Sequence, residues 1–411
     1  MSTEAAHKTQ QREVRVSREQ IAPELSPAGR GDLEPASPGL SAHREDRRSG
    51  VPLLQHPLHP HRLTLRTQAA ALTSAILVVG PSWVGDMVMA QSLFRALKAK
   101  APDTAIDVLA PGWSLPLLER MPEVRAGLEM PLGHGRLELG RRWQLGRSLR
   151  GRYRQAILLP NSWKSAIVPW AAGIPLRTGW LGEMRYGLLN DIRRLDKSFL
   201  TMTVQRFVAL AEAPQLTEIP EILPPRLEVD PADVQAALTA LGLEKPVDQP
   251  VLALCPGAEY GDAKRWQEAH YADLARRYVE KGWQVWLFGS DKDRAVCDNI
   301  AAGAGCENLA GRTSLAQAVD LLSLADAVVS NDSGLMHVAA ALERPLVAVY
   351  GSSDPGFTPP LNARHEVLSL GLECSPCFER ECPLGHLRCL QDISTDQVQA
   401  SLEKVAGKSE R

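Results

Sequence analysis

Residues 325–342, Ala-Asp-Ala-Val-Val-Ser-Asn-Asp-Ser-Gly-Leu-Met-His-Val-Ala-Ala-Ala-Leu, constrain the fold of this chain more than any other stretch. A β-branched apolar run stops at Ser330-Asn331-Asp332-Ser333-Gly334 and restarts as Leu335, Val338, Ala339 and Leu342, which is helical spacing. The pattern is a strand, a tight loop and a helix. Asp332 or Ser333 stands where a helix cap belongs, and Gly334 lets a ligand approach the backbone. The helix N–H groups and the positive end of its dipole then face the loop, where a phosphate fits. An ordinary strand-to-helix unit carries the same signature, so the stretch alone leaves both readings open.

The same alternation recurs along the chain. Ala75-Ile76-Leu77-Val78-Val79-Gly80 reads as a buried strand that breaks at Pro81-Ser82-Trp83-Val84-Gly85-Asp86, and Met87, Ala90, Leu93, Phe94 and Leu97 follow at helical spacing. Runs at 105–110 and 155–160 repeat the strand pattern. A second set starts at Val251-Leu252-Ala253-Leu254-Cys255 and continues through 284–290, 327–331 and 345–351. Short apolar strands alternating with helices predict parallel sheets. The expected fold is α/β, with two Rossmann-like doubly wound domains facing a cleft, and 411 residues suit two domains of ~150 residues each.

Expected bounds are 73–230 for the first domain, a proline-punctuated linker region at 231–250 with one short helical stretch near Ala232 to Leu241, 251–392 for the second, and a C-terminal helix and tail at 393–411. Val398, Leu402 and Val405 mark that last helix as amphipathic, and it is expected to cross back to the first domain. Residues 1–72 are rich in Pro, Arg, Glu and Ser and are expected to be a disordered extension. Its arginines are interleaved with acids, which weakens any electrostatic footprint.

A formal net charge of −2 excludes a protein that mainly holds nucleic acid. No apolar run approaches the ~20 residues of a membrane span, and seven scattered cysteines do not resemble a secreted disulfide framework. A cytoplasmic protein is expected.

Chemistry-bearing residues gather at predicted strand ends, where doubly wound sheets bind ligands. In the second half these are Gly257, Gly289, Ser290, Asp332, Ser333 and Gly334, and Lys264 follows the first of them closely enough to face the same cleft. A lysine opposite a helix N-terminus suits a diphosphate. In the first half, Asp86 sits in the first turn of a helix, either as a dipole partner or as a catalytic group. Asn161, Lys164, Arg177 and Arg185, the tryptophans Trp143, Trp163 and Trp180, and the arginine run at 136–154 suggest a phosphorylated, amphiphilic acceptor, or solvated helix faces. Cys374, Cys377, Cys382 and Cys389 are close enough in sequence for a structural zinc site or for a set of reduced thiols.

Gly80-Pro81-Ser82-Trp83-Val84-Gly85-Asp86-Met87, Pro160-Asn161-Ser162-Trp163-Lys164-Ser165, Arg177-Thr178-Gly179-Trp180, residues 182–191, Cys255-Pro256-Gly257-Ala258-Glu259, Lys264-Arg265-Trp266 and residues 331–342 together resemble the ADP-heptose:lipopolysaccharide heptosyltransferases of glycosyltransferase family nine, type II in particular. The resemblance runs from about residue 75 to residue 360 and implies the GT-B fold. It further implies inverting transfer of L-glycero-D-manno-heptose from ADP-heptose to the first heptose of the inner core. The acceptor would be lipid A-Kdo-heptose, at the cytoplasmic face of the inner membrane with the enzyme peripherally associated there.

On this resemblance Asp86 is the base and Lys264 offsets charge on the departing ADP. Gly257, Gly289, Ser290, Asp332, Ser333, Gly334 and His337 hold the donor, while Ser82, Trp83, Asn161, Lys164, Arg177 and Arg185 line the acceptor side. No cofactor and no catalytic metal are implied. A type I or III heptosyltransferase and a nucleotide-sugar-binding protein without chemistry are the alternatives.

Overall fold

The computed structural model describes residues 75–131, 137–244 and 248–407. The expected extension at 1–72 lies outside the described residues. Twelve described strands form two six-stranded, wholly parallel sheets. The first contains β1 (Ile76–Val79), β2 (Ile106–Ala110), β3 (Val124–Glu129), β4 (Gln155–Leu158), β5 (Leu176–Trp180) and β6 (Asp191–Arg193). The second contains β7 (Val251–Cys255), β8 (Gln284–Leu287), β9 (Glu307–Asn308), β10 (Ala327–Asn331), β11 (Leu346–Val349) and β12 (His365–Leu368).

The strand orders are β3-β2-β1-β4-β5-β6 and β12-β11-β10-β7-β8-β9. Counted from β7, the second order repeats the first, which is the dinucleotide-binding arrangement with its switch point between the first and fourth strands. The central strands β1, β7, β10 and β11 are buried along their whole length, as sheets covered on both faces require. At the first switch point the chain leaves β1 into the helix Val84–Lys100, and at the second it leaves β10 into the helix Gly334–Ala341.

One apolar cluster runs from Val78 and Phe94 in the first half to Val328 and Val338 in the second. The two helices after the switch points meet there: a Cβ on Gly85 would stand 2.6 Å from the His337 ring, and one on Gly334 would stand 2.7 Å from Val84. Leu227 N–H donates to the Ala341 carbonyl at 3.0 Å, and Arg120 pairs with the buried Asp320 at 2.8 Å.

The helical stretch expected near 232–241 is the helix Pro231–Leu241: Asp230 caps it, Gly242 ends it in the left-handed region at φ 69°, and it buries Val234, Ala237 and Leu238. One expectation changes. The helix Thr395–Ala406 does not cross back. Val398, Leu402 and Val405 pack into the cluster with β10, β11 and the helix Glu268–Glu280, so its apolar stripe is spent on the second half.

Candidate active site

The loop after β10 is held from below by Asn331. Its side-chain amide donates to the Pro256 carbonyl at 2.6 Å, and its Oδ1 accepts from Trp266 N–H at 3.0 Å and Tyr271 O–H at 3.1 Å. These bonds lock the ends of β7 and β10 together across the switch point. Asp332 then projects its Oδ2 to Lys264 Nζ and to Ser353 Oγ, each at 2.5 Å. Lys264 also lies over the Tyr260 ring, 5.2 Å from its centre.

Neither expected cap is made. Asp332 is taken by Lys264 and Ser353, Ser333 Oγ lies 3.1 Å from Ser330 Oγ, and the helix Gly334–Ala341 begins without a side-chain cap. Its first N–H groups point out of the loop.

Asp86 faces this arrangement from the first turn of the other switch-point helix. Burial, and next the Asp332 charge, push its carboxyl up to about 6 against a smaller pull from Lys264. Among the described residues nothing donates a hydrogen bond to it, which leaves both oxygens free to accept a substrate proton. His337, buried against Gly85, stays neutral because burial pushes its pKa down to about 4.

Two cavities meet at Ser82, Trp83 and Trp113. One of 660 Å³ lies in the second half and is walled by Gly257, Gly289, Ser290, Ser333 and Gly334. The other, of 1020 Å³, lies in the first half and is walled by Asp86, Asn161, Lys164, Lys197 and Arg206. A carboxyl poised to take a proton thus borders one cavity, and an uncapped helix end with glycine-bearing loops borders the other. That is the arrangement for moving a group from a phosphorylated donor to a hydroxyl.

Residues 142–388 match the family model for glycosyltransferase family 9 (heptosyltransferase). Lipopolysaccharide heptosyltransferase 2 of Escherichia coli K12 is 50% identical over 335 residues, which is 79% of this chain and 96% of that protein. Lipooligosaccharide heptosyltransferase 2 of Haemophilus influenzae is 51% identical over 309 residues, 72% of this chain and 88% of that one. The solved structure of E. coli ADP-heptose lps heptosyltransferase II superposes with a TM-score of 0.73 at 46% identity, covering 82% of this chain and all of the other. The chain belongs to glycosyltransferase family 9.

Most sequence-predicted positions of this family 9 glycosyltransferase converge. Ser82, Trp83, Asn161 and Lys164 line the first-half cavity, and Gly257, Gly289, Ser290, Ser333 and Gly334 line the second-half one. Lys264, Asp332 and His337 line neither, although Lys264 and Asp332 act electrostatically on Asp86.

Arg177 and Arg185 are the exceptions. Arg177 donates to the carbonyls of Leu188 and Ile174, both at 2.6 Å, and Arg185 is buried with its fork on the carbonyls of Pro160 and Trp180. Both staple the 185–190 loop to β4 and β5 and do not reach the cavity. Missed from sequence were Trp113, Lys197 and Arg206 in the wall of the first-half cavity, and Asp293 under the glycine-bearing loops of the second-half one. Asp293 accepts from Ser290 N–H at 2.9 Å and from Ser290 Oγ at 2.7 Å, and its carboxylate stands where a Cβ on Gly257 would be. Only a Ser-x-x-Asp spacing at 290–293 signals that contact.

Cys374, Cys377, Cys382 and Cys389 are free thiols. Burial and then the nearby Cys382, Cys374 and Cys377 push the Cys389 thiol up, while backbone N–H groups of residues 384–387 hold the Cys382 thiol down. Among the described residues no three His, Cys, Asp or Glu side chains are placed to hold a metal ion, so the expected zinc ligands are not assembled. The cysteine-bearing loop instead braces the Lys264 turn. Arg380 carbonyl accepts from Ala263 N–H at 3.0 Å, and Phe378 carbonyl accepts from Tyr260 O–H at 2.7 Å.

Proposed function

We propose that this chain transfers L-glycero-D-manno-heptose from ADP-heptose to the first heptose of the lipopolysaccharide inner core, with inversion. The observation that carries the reading is the Asp86 carboxyl, raised to about 6, facing the Lys264–Asp332 pair and the uncapped helix. The acceptor hydroxyl attacks the anomeric carbon, its proton passes to Asp86, and the bond to the β-phosphate oxygen breaks with its electron pair leaving on ADP. Ser333 and Gly334 N–H groups and the Lys264 ammonium meet the charge on that leaving group. This reading gives the leaving group no metal partner. Lys164, Lys197 and Arg206 meet the acceptor's anionic groups, and the acceptor lies at the cytoplasmic face of the inner membrane, where the enzyme associates peripherally. Support comes from the type II relatives at about half identity over most of their length.

A transfer assay with ADP-heptose tests it. A core truncated after the first heptose is expected to accept a second, and a heptose-free core is expected to accept none. Product on the heptose-free core assigns type I chemistry instead.

The brace on Lys264 adds a second expectation. A Cβ on Gly261 would run into the Arg380 carbonyl oxygen, so Gly261→Ala must shift the turn that carries Lys264. Its kcat is expected to fall roughly ten- to hundredfold, since a displacement of ~1 Å can cost that much. KM for the acceptor stays unchanged, and steady-state kinetics separate the two.

A further inference from the structure

Outside the active site a solvent-facing apolar patch lies on the first half. The helices Leu139–Ser148 and Ile167–Ala171 are pressed together at Gly146, where a Cβ would stand 2.6 Å from Ala171 Cβ. Their outer edges open into a shallow depression lined by Leu139, Trp143, Trp163, Ile167, Trp170 and Leu188, almost without polar atoms. Trp143 and Trp170 pack edge to face at 5.3 Å between ring centres, yet remain 41% and 42% exposed, and Trp163 is 38% exposed. Three half-exposed indoles in one patch cost solvation that a free surface does not recover.

The chain that carries Leu139 and Trp143 is strongly basic. Residues 139–154 hold six arginines (141, 142, 147, 150, 152 and 154) and no acid, in a chain whose formal net charge is −2. Arg147 and Arg150 are exposed. Glu138, beside the patch, pairs with Arg141 at 3.0 Å, while the exposed Glu183 accepts from Trp163 N–H at 2.9 Å and keeps its charge.

The patch is also continuous with the acceptor-side cavity. Arg142 and Lys164 line that cavity while their chain neighbours Trp143 and Trp163 line the patch. One face of the same two elements therefore receives a polar, anionic group, and the adjoining face presents indoles and guanidinium groups.

We propose that this tryptophan–arginine patch is the surface by which the enzyme docks on an anionic lipid bilayer, with the indoles at headgroup depth and Arg147 and Arg150 over the phosphates. The inference rests on the proposed acceptor: an amphiphile whose sugar end enters the cavity leaves its acyl chains in the membrane beside the patch.

The test uses the full chain and two double variants, Trp143→Ser/Trp170→Ser and Arg147→Glu/Arg150→Glu. Flotation with vesicles containing phosphatidylglycerol is expected to show binding by the parent chain and at least a roughly tenfold weaker binding by each variant. Vesicles of phosphatidylcholine alone are expected to bind little. Transfer to a deacylated, water-soluble acceptor is expected to be unchanged in both variants, which also shows that they fold. Unaltered vesicle binding by either variant, or equal binding to phosphatidylcholine, overturns the proposal. So does a change of oligomeric state in place of lost vesicle binding, which makes a second copy the occupant. If no variant and no parent transfers heptose to the soluble acceptor, the functional reading fails while the vesicle result still stands on its own.

Discussion

Asp86→Asn is expected to lower the transfer rate by roughly 10²–10⁴-fold, the usual worth of a positioned general base, and to raise the melting temperature at neutral pH. Both effects come from one source. Burial and the Asp332 charge make ionisation of this carboxyl costly, moving it from 3.8 to about 6. An acid whose folded-state pKa is raised stabilises the fold fully below its unfolded value, near 4, and that contribution disappears as pH rises through 6. Above pH 6 the ionised carboxylate is therefore a burden on the fold of at most about 3 kcal/mol, two pKa units at ~1.4 each. The amide removes that burden. Parent kcat/KM is expected to fall as pH drops through 6, because the base becomes protonated, and the melting-temperature gain of Asp86→Asn is expected at pH 7.5 and to vanish near pH 4. Full activity in the variant, or an acid limb far from 6, removes Asp86 from the base role.

Lys264→Ala is expected to damage both activity and stability, but by separable routes. Lys264 Nζ and Asp332 Oδ2 form a pair at 2.5 Å whose side chains are 19% and 6% exposed. Removing one partner strands the other, at about 3–5 kcal/mol for a buried pair, less here because the lysine keeps some solvent. On the proposed reading, in which Lys264 offsets charge on the leaving diphosphate, its loss is expected to lower kcat by roughly 10²–10³-fold. Adding Asp332→Asn removes the stranded charge. The double variant is expected to regain most of the lost melting temperature and little of the activity. Recovery of activity along with stability makes Lys264 a structural residue only.

Much of the site is legible in the sequence because its parts are local. A β-branched run, a polar break with glycine and a restart at helical spacing define a strand-to-helix turn without any long-range information, and the 327–341 unit has that form. The glycines that line the second-half cavity and Asp86 follow from the same rule. What escapes the sequence is competition between distant partners. Asp332 occupies a good capping position, but a lysine 68 residues earlier claims its carboxylate. Arg177 and Arg185 have a fork that fits a backbone carbonyl as well as a phosphate, and only the folded 185–190 loop decides between them. Trp180 and Trp143 read alike in sequence; one is buried with its indole N–H on the Arg206 carbonyl, the other faces solvent. The C-terminal helix announces an apolar stripe but not the surface that takes it.

The helix Gly334–Ala341 starts with no side chain closing its first turn. On the proposed reading, a diphosphate seated on that turn completes the hydrogen bonding that a serine or aspartate supplies in other helices. On that reading donor binding and local order are one equilibrium, since a ligand that binds the ordered turn stabilises it. Gly334 lies against Val84, two residues before Asp86, so the same turn abuts the segment that carries the proposed base.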